Sequence, residues 1–177
     1  VASLASRNCS TVLWARSPEV AREVDEDQTN STYLPGFKLT ESLEASSDLE
    51  QVVRGADVLV IGVPSHGFRD VVTELAPYVR PWIPIVSLTK GLEQGSLLRM
   101  TEIIEEVLPG HPAGVLTGPN LAKEIMAGQA AASVIGMEDL VVAEALQGVF
   151  AGGLYRVYTN HDVIGCEVGG ALKNVIA

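Results

Sequence analysis

The chain of 177 residues predicts an α/β domain built on a doubly wound, mostly parallel sheet. Three observations lead there. Several strand candidates are continuous apolar runs, such as 56–63 (ADVLVIGV) and 83–88 (IPIVSL), which suit parallel strands covered on both faces. Between them lie segments of helical period, the clearest at 97–108, with Leu97, Leu98, Met100, Ile103, Ile104, Val107 and Leu108 on one side. Turn formers separate the two kinds of segment throughout, so strand and helix alternate along the whole chain.

In order, residues 1–5 look like the tail of a helix and Arg7 to Ser10 a turn. Residues 11–15 (TVLWA) form a short buried strand. Ser17 caps the next helix, with Pro18 at its first position. Residues 25–40 are a polar surface excursion. Residues 43–46 are a short strand, and Ser47-Asp48-Leu49-Glu50 opens a helix to Arg54 that Gly55 ends. Strand 56–63 stops at Pro64. Residues 68–75 are helical, 83–88 a buried strand and 97–108 a helix. Residues 114–116 are a strand, and Pro119 starts the following helix. Strand 131–136, helix 140–150 and strand 155–158, which alternates like an outer strand, precede a glycine-rich helix over 163–177.

Composition narrows the function. Hydrophobic residues make up 47% and charged residues 19% of the chain, a globular balance. The net charge of −10 argues against nucleic acid and anionic membranes as partners. It also makes a lysine in a glycine turn more informative, because an anion site must oppose the overall field. Cys9 and Cys166 lie too far apart for a metal pattern and read as two small buried hydrophobes in a reducing cytoplasm. No apolar run approaches the ~18 residues of a membrane span. The start lacks the layout of a signal peptide, and it lacks Met, which hints at trimming.

In doubly wound sheets, ligands bind beyond the carboxyl ends of the strands, so the residues there are the candidates. Arg16 follows the first strand, where an adenosine ribose is read. It fits a 2′-phosphate and a stacked adenine, or is a solvated surface arginine. In Pro64-Ser65-His66, Ser65 reads as a helix cap and His66 as a cofactor-side wall rather than a base. Lys90, in Thr89-Lys90-Gly91, either projects into the crevice or is a surface lysine in a turn. Gly118-Pro119-Asn120 begins a helix whose free N–H groups suit an anion or polar ligand, or is ordinary capping. Gly169 and Gly170 each cost about 1 kcal/mol inside a helix, so something must pack close to them. Lys173 shares their face, where it is either a partly desolvated lysine suited to acid/base work or a solvent-facing lysine on an exposed stripe. Against these stands the absence of any G-x-G-x-x-G turn.

The segments LWAR (13–16), YLPG (33–36), ADVLVIGVPSHGFRDVV (56–72), VSLTKGLE (86–93), VLTGPNLAKEI (115–125) and YRVYTNHDVIGCEVGGALKNVIA (155–177), in this order, resemble the bacterial-type NAD(P)-dependent glycerol-3-phosphate dehydrogenases. VPSH, TKG and GGALKN are the specific motifs, and the match covers nearly the whole chain. The resemblance implies a Rossmann-type fold whose first strand and Gly-rich loop precede residue 1. It divides the chain into an NAD(P)-binding domain over 1–160 and, over 161–177, the start of the helix leading to a C-terminal helical substrate domain. It implies interconversion of sn-glycerol 3-phosphate and dihydroxyacetone phosphate in the cytoplasm, feeding glycerophospholipid synthesis. Lys173 would be the general acid/base. Lys90 would contact cofactor and substrate, Gly118 and Asn120 would line the substrate site, and Ala122 would touch the cofactor. Arg16, at the adenosine end, tilts the choice toward NADP over NAD. Asn120 stands where the family commonly has Ser or Thr, and Cys166 where it usually has Val. The partner implied is a phosphorylated triose, with a homodimer allowed, and these 177 residues alone would be inactive. A ketopantoate- or phosphogluconate-type reductase would share the first half of the fold, but TKG combined with GGALKN favours the phosphotriose reading.

Overall fold

The computed structural model describes the backbone of residues 1–176 and the side chains of residues 1–173. Seven strands and eight α-helices alternate: α1 (Ala2–Ala5), β1 (Thr11–Trp14), α2 (Pro18–Asp27), β2 (Leu43–Ser46), α3 (Leu49–Gly55), β3 (Leu59–Ile61), α4 (Phe68–Leu75), β4 (Ile85–Ser87), α5 (Met100–Val107), β5 (Ala113–Thr117), α6 (Ala122–Met126), β6 (Ala131–Met137), α7 (Leu140–Phe150), β7 (Tyr155–Asn160) and α8 (Val163–Ile176). The strands form a parallel pair, β1-β2, and a five-stranded sheet in the order β3-β4-β5-β6-β7. Every neighbouring pair is parallel except β5 and β6. The mostly parallel α/β sheet is as the sequence predicts. The reversal at β6 follows from the link before it, because the short α6 does not carry the chain back across the sheet as a crossover does.

The sheet is covered on two faces. On β4, Ile85 packs with Phe68, Val72, Ile103 and Ile104 of α4 and α5. The next residue, Val86, packs on the other side with Leu116, Ile135, Leu146 and Phe150. Successive side chains of a strand point to opposite faces, so both neighbours of this apolar run are buried. Side-chain caps begin α2, α3 and α7, where Ser17, Asp48 and Asp139 accept from backbone amides of the first turn.

Several expectations are corrected. Strand 56–63 shortens to β3, and Val60 stays 38% exposed, because β3 pairs only with β4 and its other edge is open. Helix 97–108 begins at Met100; Leu97 sits at φ +62 in the preceding loop. Pro119 does not start a helix: α6 begins at Ala122, because Asn120 is tied into a loop described below. Ser65 makes no side-chain cap; it lies in a short 3-10 turn, and Gly67 occupies the cap position of α4. Cys9 is exposed and Cys166 half-buried, both as free thiols, since Cys9 lies in the turn between α1 and β1. Strand β7 does alternate buried and exposed residues at the sheet edge.

Because β6 and β7 run against β3 to β5, β7 ends at the end of the sheet where β5 starts, and α8 then runs back along β5 and β6. Cys166 meets Gly136 and Gly170 meets Thr117. Lys173 therefore arrives at the carboxyl end of β5, the end to which β4 delivers Lys90.

Candidate active site

Two turns and one helix build the site. The turn after β4 is anchored to the segment just beyond β3, since the Thr89 hydroxyl donates to the Val63 carbonyl at 2.6 Å. Gly91 follows at φ +126, in the left-handed region that favours glycine. Farther along, Glu93 accepts from Arg69 Nε and Nη2, at 2.7 and 2.9 Å, and from the Ser96 hydroxyl. This bidentate pair holds the Glu93 carboxyl down to about 2 and braces the loop that carries Lys90.

The turn after β5 is fixed from two sides. Lys90 Nζ donates to the Gly118 carbonyl at 3.0 Å. Asn120 folds back: its backbone N–H donates to the Gly118 carbonyl at 2.9 Å, and its side-chain amide donates to Ser133 Oγ. Ser133 also accepts from the Tyr155 hydroxyl at 2.6 Å, whose pKa burial pushes up. Glycine is required at 118, because a Cβ there would lie 2.5 Å from the Ala132 carbonyl and 2.8 Å from the Asn120 amide. The Asn120 Oδ1 is buried and has no partner among the described residues. A buried acceptor of this kind is costly unless a donor reaches it.

Helix α8 supplies the third wall. Asp162 caps it, accepting from Gly165 N at 2.8 Å. Beside it runs a cleft of about 540 Å³ lined by Thr117, Gly118, Pro119, Gly169, Gly170 and Lys173, among others. The two glycines have different reasons. A Cβ on Gly170 would meet the Thr117 hydroxyl at 2.5 Å, whereas Gly169 faces open space. Lys173 lines this cleft, and Lys90, tied to the Gly118 carbonyl of its wall, stands close enough for the two ammonium charges to act on each other. Lys90 is held below the ordinary lysine range, first by partial desolvation and then by the charge of Lys173. Two adjacent cations at a helix-lined cleft in an acidic chain form a site for an anion or for developing negative charge.

The structure thus brings together Lys90, Gly118 and Lys173. Asn120 adjoins them but turns its amide toward Ser133. Arg16 lies apart, exposed just beyond β1. Ala122, also exposed, opens α6 beside a small apolar pocket of about 140 Å³ shared with Leu4, Leu13 and Ile125. His66 is exposed in its 3-10 turn. Sequence reasoning missed the Ser133–Tyr155 pair and the buried carboxylate of Glu167. The signal for Glu167 was present: with Lys173 it is one of two charged residues in the otherwise apolar and small-residue α8.

The family model for the N-terminus of NAD-dependent glycerol-3-phosphate dehydrogenase matches residues 1–143. A glycerol-3-phosphate dehydrogenase [NAD(P)+] 2 of Sphingopyxis alaskensis is 60% identical over 177 residues, all of this chain and 53% of its own length. A glycerol-3-phosphate dehydrogenase [NAD(P)+] of Mycobacterium avium is 53% identical, over 100% of this chain and 52% of its own. The crystal structure of glycerol-3-phosphate dehydrogenase from Coxiella burnetii superposes with a TM-score of 0.90 at 31% identity, covering 99% of this chain and 54% of that one. A ketopantoate reductase from Ralstonia eutropha, at 20% identity and a TM-score of 0.67, shares the fold alone. The chain spans about half the length of the curated relatives it matches.

Proposed function

The chain belongs to the NAD-dependent glycerol-3-phosphate dehydrogenase family, and from that premise we propose that the full-length protein interconverts sn-glycerol 3-phosphate and dihydroxyacetone phosphate with NAD(P)(H). The observation that carries the reading is the meeting of Lys90 and Lys173 at the cleft, with Lys90 bonded to Gly118.

The residues fit a nicotinamide cofactor and a phosphorylated triose. Gly169 leaves clearance along the helix wall of the cleft, and the Gly118 turn and Lys173 also line it. Arg16, Ala122 and Lys90 would hold the cofactor. When bound, the cofactor supplies or accepts the hydride. Lys173 holds the proton for the substrate's C2 oxygen: in reduction it protonates the oxygen as charge develops, and in oxidation it removes the hydroxyl proton. Lys90 would contact both cofactor and substrate and stabilise the negative charge that develops there. Gly118 and Asn120 shape the floor beneath the substrate.

The further parts of the reading are proposals of the same kind. Residues 1–160 form the cofactor-binding unit, and 161–177 lead into a substrate domain. Arg16 favours NADP over NAD. The product feeds glycerophospholipid synthesis, the setting is cytoplasmic, and the protein pairs as a homodimer. No helix among the described residues is long and apolar enough to cross a membrane. Loss of NADPH absorbance on adding dihydroxyacetone phosphate to the full-length protein tests the central reading, and turnover of keto acids but not of dihydroxyacetone phosphate would overturn it.

A further inference from the structure

Helix α8 meets the sheet through small residues. An added Cβ on Gly136 would come within 2.9 Å of the Cys166 side chain, and Gly170 abuts Thr117 in the same way. Such contacts set how near the helix lies, and they carry no directional bond. Glu167 supplies the direction. Its side chain is 6% exposed, and both of its oxygens are taken by the start of α5. Thr101 donates its backbone N–H at 3.0 Å and its hydroxyl at 2.5 Å, and Arg99 Nη1 donates at 2.8 Å. Arg99 is itself held by Glu102 at 3.0 Å. Charge-assisted hydrogen bonds of this kind are short and angle-dependent. Among the described residues, no other α8 side chain hydrogen-bonds to a neighbouring element.

Lys173 lies six residues farther along the same helix, about 9 Å at the helical rise. A continuous helix transmits a shift or rotation at Glu167 to Lys173.

We propose that Glu167 is a positioning residue: its carboxylate, locked onto Thr101 and Arg99, fixes the height and rotation of α8 and so fixes where Lys173 stands against Lys90. The proposal rests on the reading of Lys173 as the acid/base, and its test has one arm that does not. In the full-length protein, Glu167→Ala removes the anchor. Glu167→Gln keeps an oxygen for the Thr101 N–H while turning an NH2 group toward Arg99, so half of the anchor remains. The kcat for dihydroxyacetone phosphate reduction should fall on the order of 10- to 100-fold in the alanine variant, since a misplacement of about 1 Å is that expensive. It should fall less in the glutamine variant, while the KM for NADPH changes by less than about twofold. Without substrate, the yield of a Lys90–Lys173 cross-link by 1,5-difluoro-2,4-dinitrobenzene, read by mass spectrometry, should fall in the same order.

Wild-type kcat and cross-link yield in Glu167→Ala would overturn the proposal even if its Tm fell, because Glu167 would then serve stability alone. An unchanged cross-link with equal kcat losses in both variants would overturn it as well. Absence of dihydroxyacetone phosphate turnover by the wild-type protein would instead defeat the catalytic reading, and the cross-link would still decide the role of Glu167.

Discussion

The two sheets are closed to different degrees, and the more open one includes the half-polar strand β2 (Leu-Glu-Ala-Ser). The sheet β3 to β7 is sandwiched between helices, and its central residues Ile85, Val86 and Ile135 are inaccessible to solvent. The pair β1-β2 leaves Val12 40% exposed, and both of its strands keep an unpaired edge, whereas only the outermost strands of the larger sheet do. The lysines stand on the closed unit, each backed by an anchored carboxylate: Glu93 on Arg69 for Lys90 and Glu167 on Arg99 for Lys173. Arg16 stands on the open pair and makes no side-chain hydrogen bond or ion pair among the described residues. Proton transfer needs sub-ångström placement and so belongs on rigid, packed elements. Gripping a charged group by a long flexible side chain does not.

This contrast predicts where substitutions act. The largest effect is expected for Lys173→Met in the full-length protein. Its kcat should drop about 10²- to 10⁴-fold, the usual worth of a general acid, with NADPH affinity measured by fluorescence titration nearly unchanged. A parallel loss of cofactor affinity would break the separation between the two regions.

Next are the glycines of the closed unit. Gly118→Ala places a methyl 2.5 Å from a backbone carbonyl, and Gly170→Ala places one 2.5 Å from the Thr117 hydroxyl. Each should destabilise by about 1–3 kcal/mol, with Gly118→Ala the worse because backbone gives less readily than a side chain. Gly169→Ala meets nothing within 4 Å and should instead gain about 1 kcal/mol of helix propensity. Thermal unfolding of the three variants gives the order.

Arg16→Ala should be smaller still. It should raise the KM for NADPH by less than about tenfold, leave the KM for NADH nearly unmoved and spare kcat, if an exposed arginine reads the 2′-phosphate. Equal effects on both cofactors would remove the NADP preference from the reading.

The smallest effect concerns pH. The Glu93 carboxyl titrates near 2 in the folded chain and near 4.3 in an unfolded one. Its contribution to stability is therefore present above the unfolded value and is lost as pH falls from about 5 toward 2. The Tm difference between wild type and Arg69→Met should shrink across that range. Partial exposure and salt screening keep the whole effect small.

Parts of the site were legible because short-range chemistry writes them into the sequence. A glycine after a lysine at a strand end, or two glycines within an apolar helix, are local anomalies that demand a tertiary reason. TKG and GGALKN gave that signal, and Lys90 and Lys173 do meet. Where a local pattern was ambiguous, local reasoning failed. Pro119 after Gly118 reads as a helix start, but Ser133, on the next strand, captures the Asn120 amide and holds the loop open. Leu97 fits the helical period of α5, yet the helix starts three residues later, at Met100.

By itself the sequence carried the alternation of strand and helix, singled out Lys90 and Lys173 as candidates and, through the order of its motifs, pointed to the family. Each of these depends on periodicity, turn chemistry or residue order along the chain. Only the tertiary structure decided that β6 reverses direction and that α8 therefore returns Lys173 to Lys90. It alone showed that Gly170 serves packing while Gly169 leaves space, and that Glu167 reaches Thr101 across 66 residues. Those outcomes depend on which surfaces meet, and a sequence pattern carries the period of a surface without naming its partner.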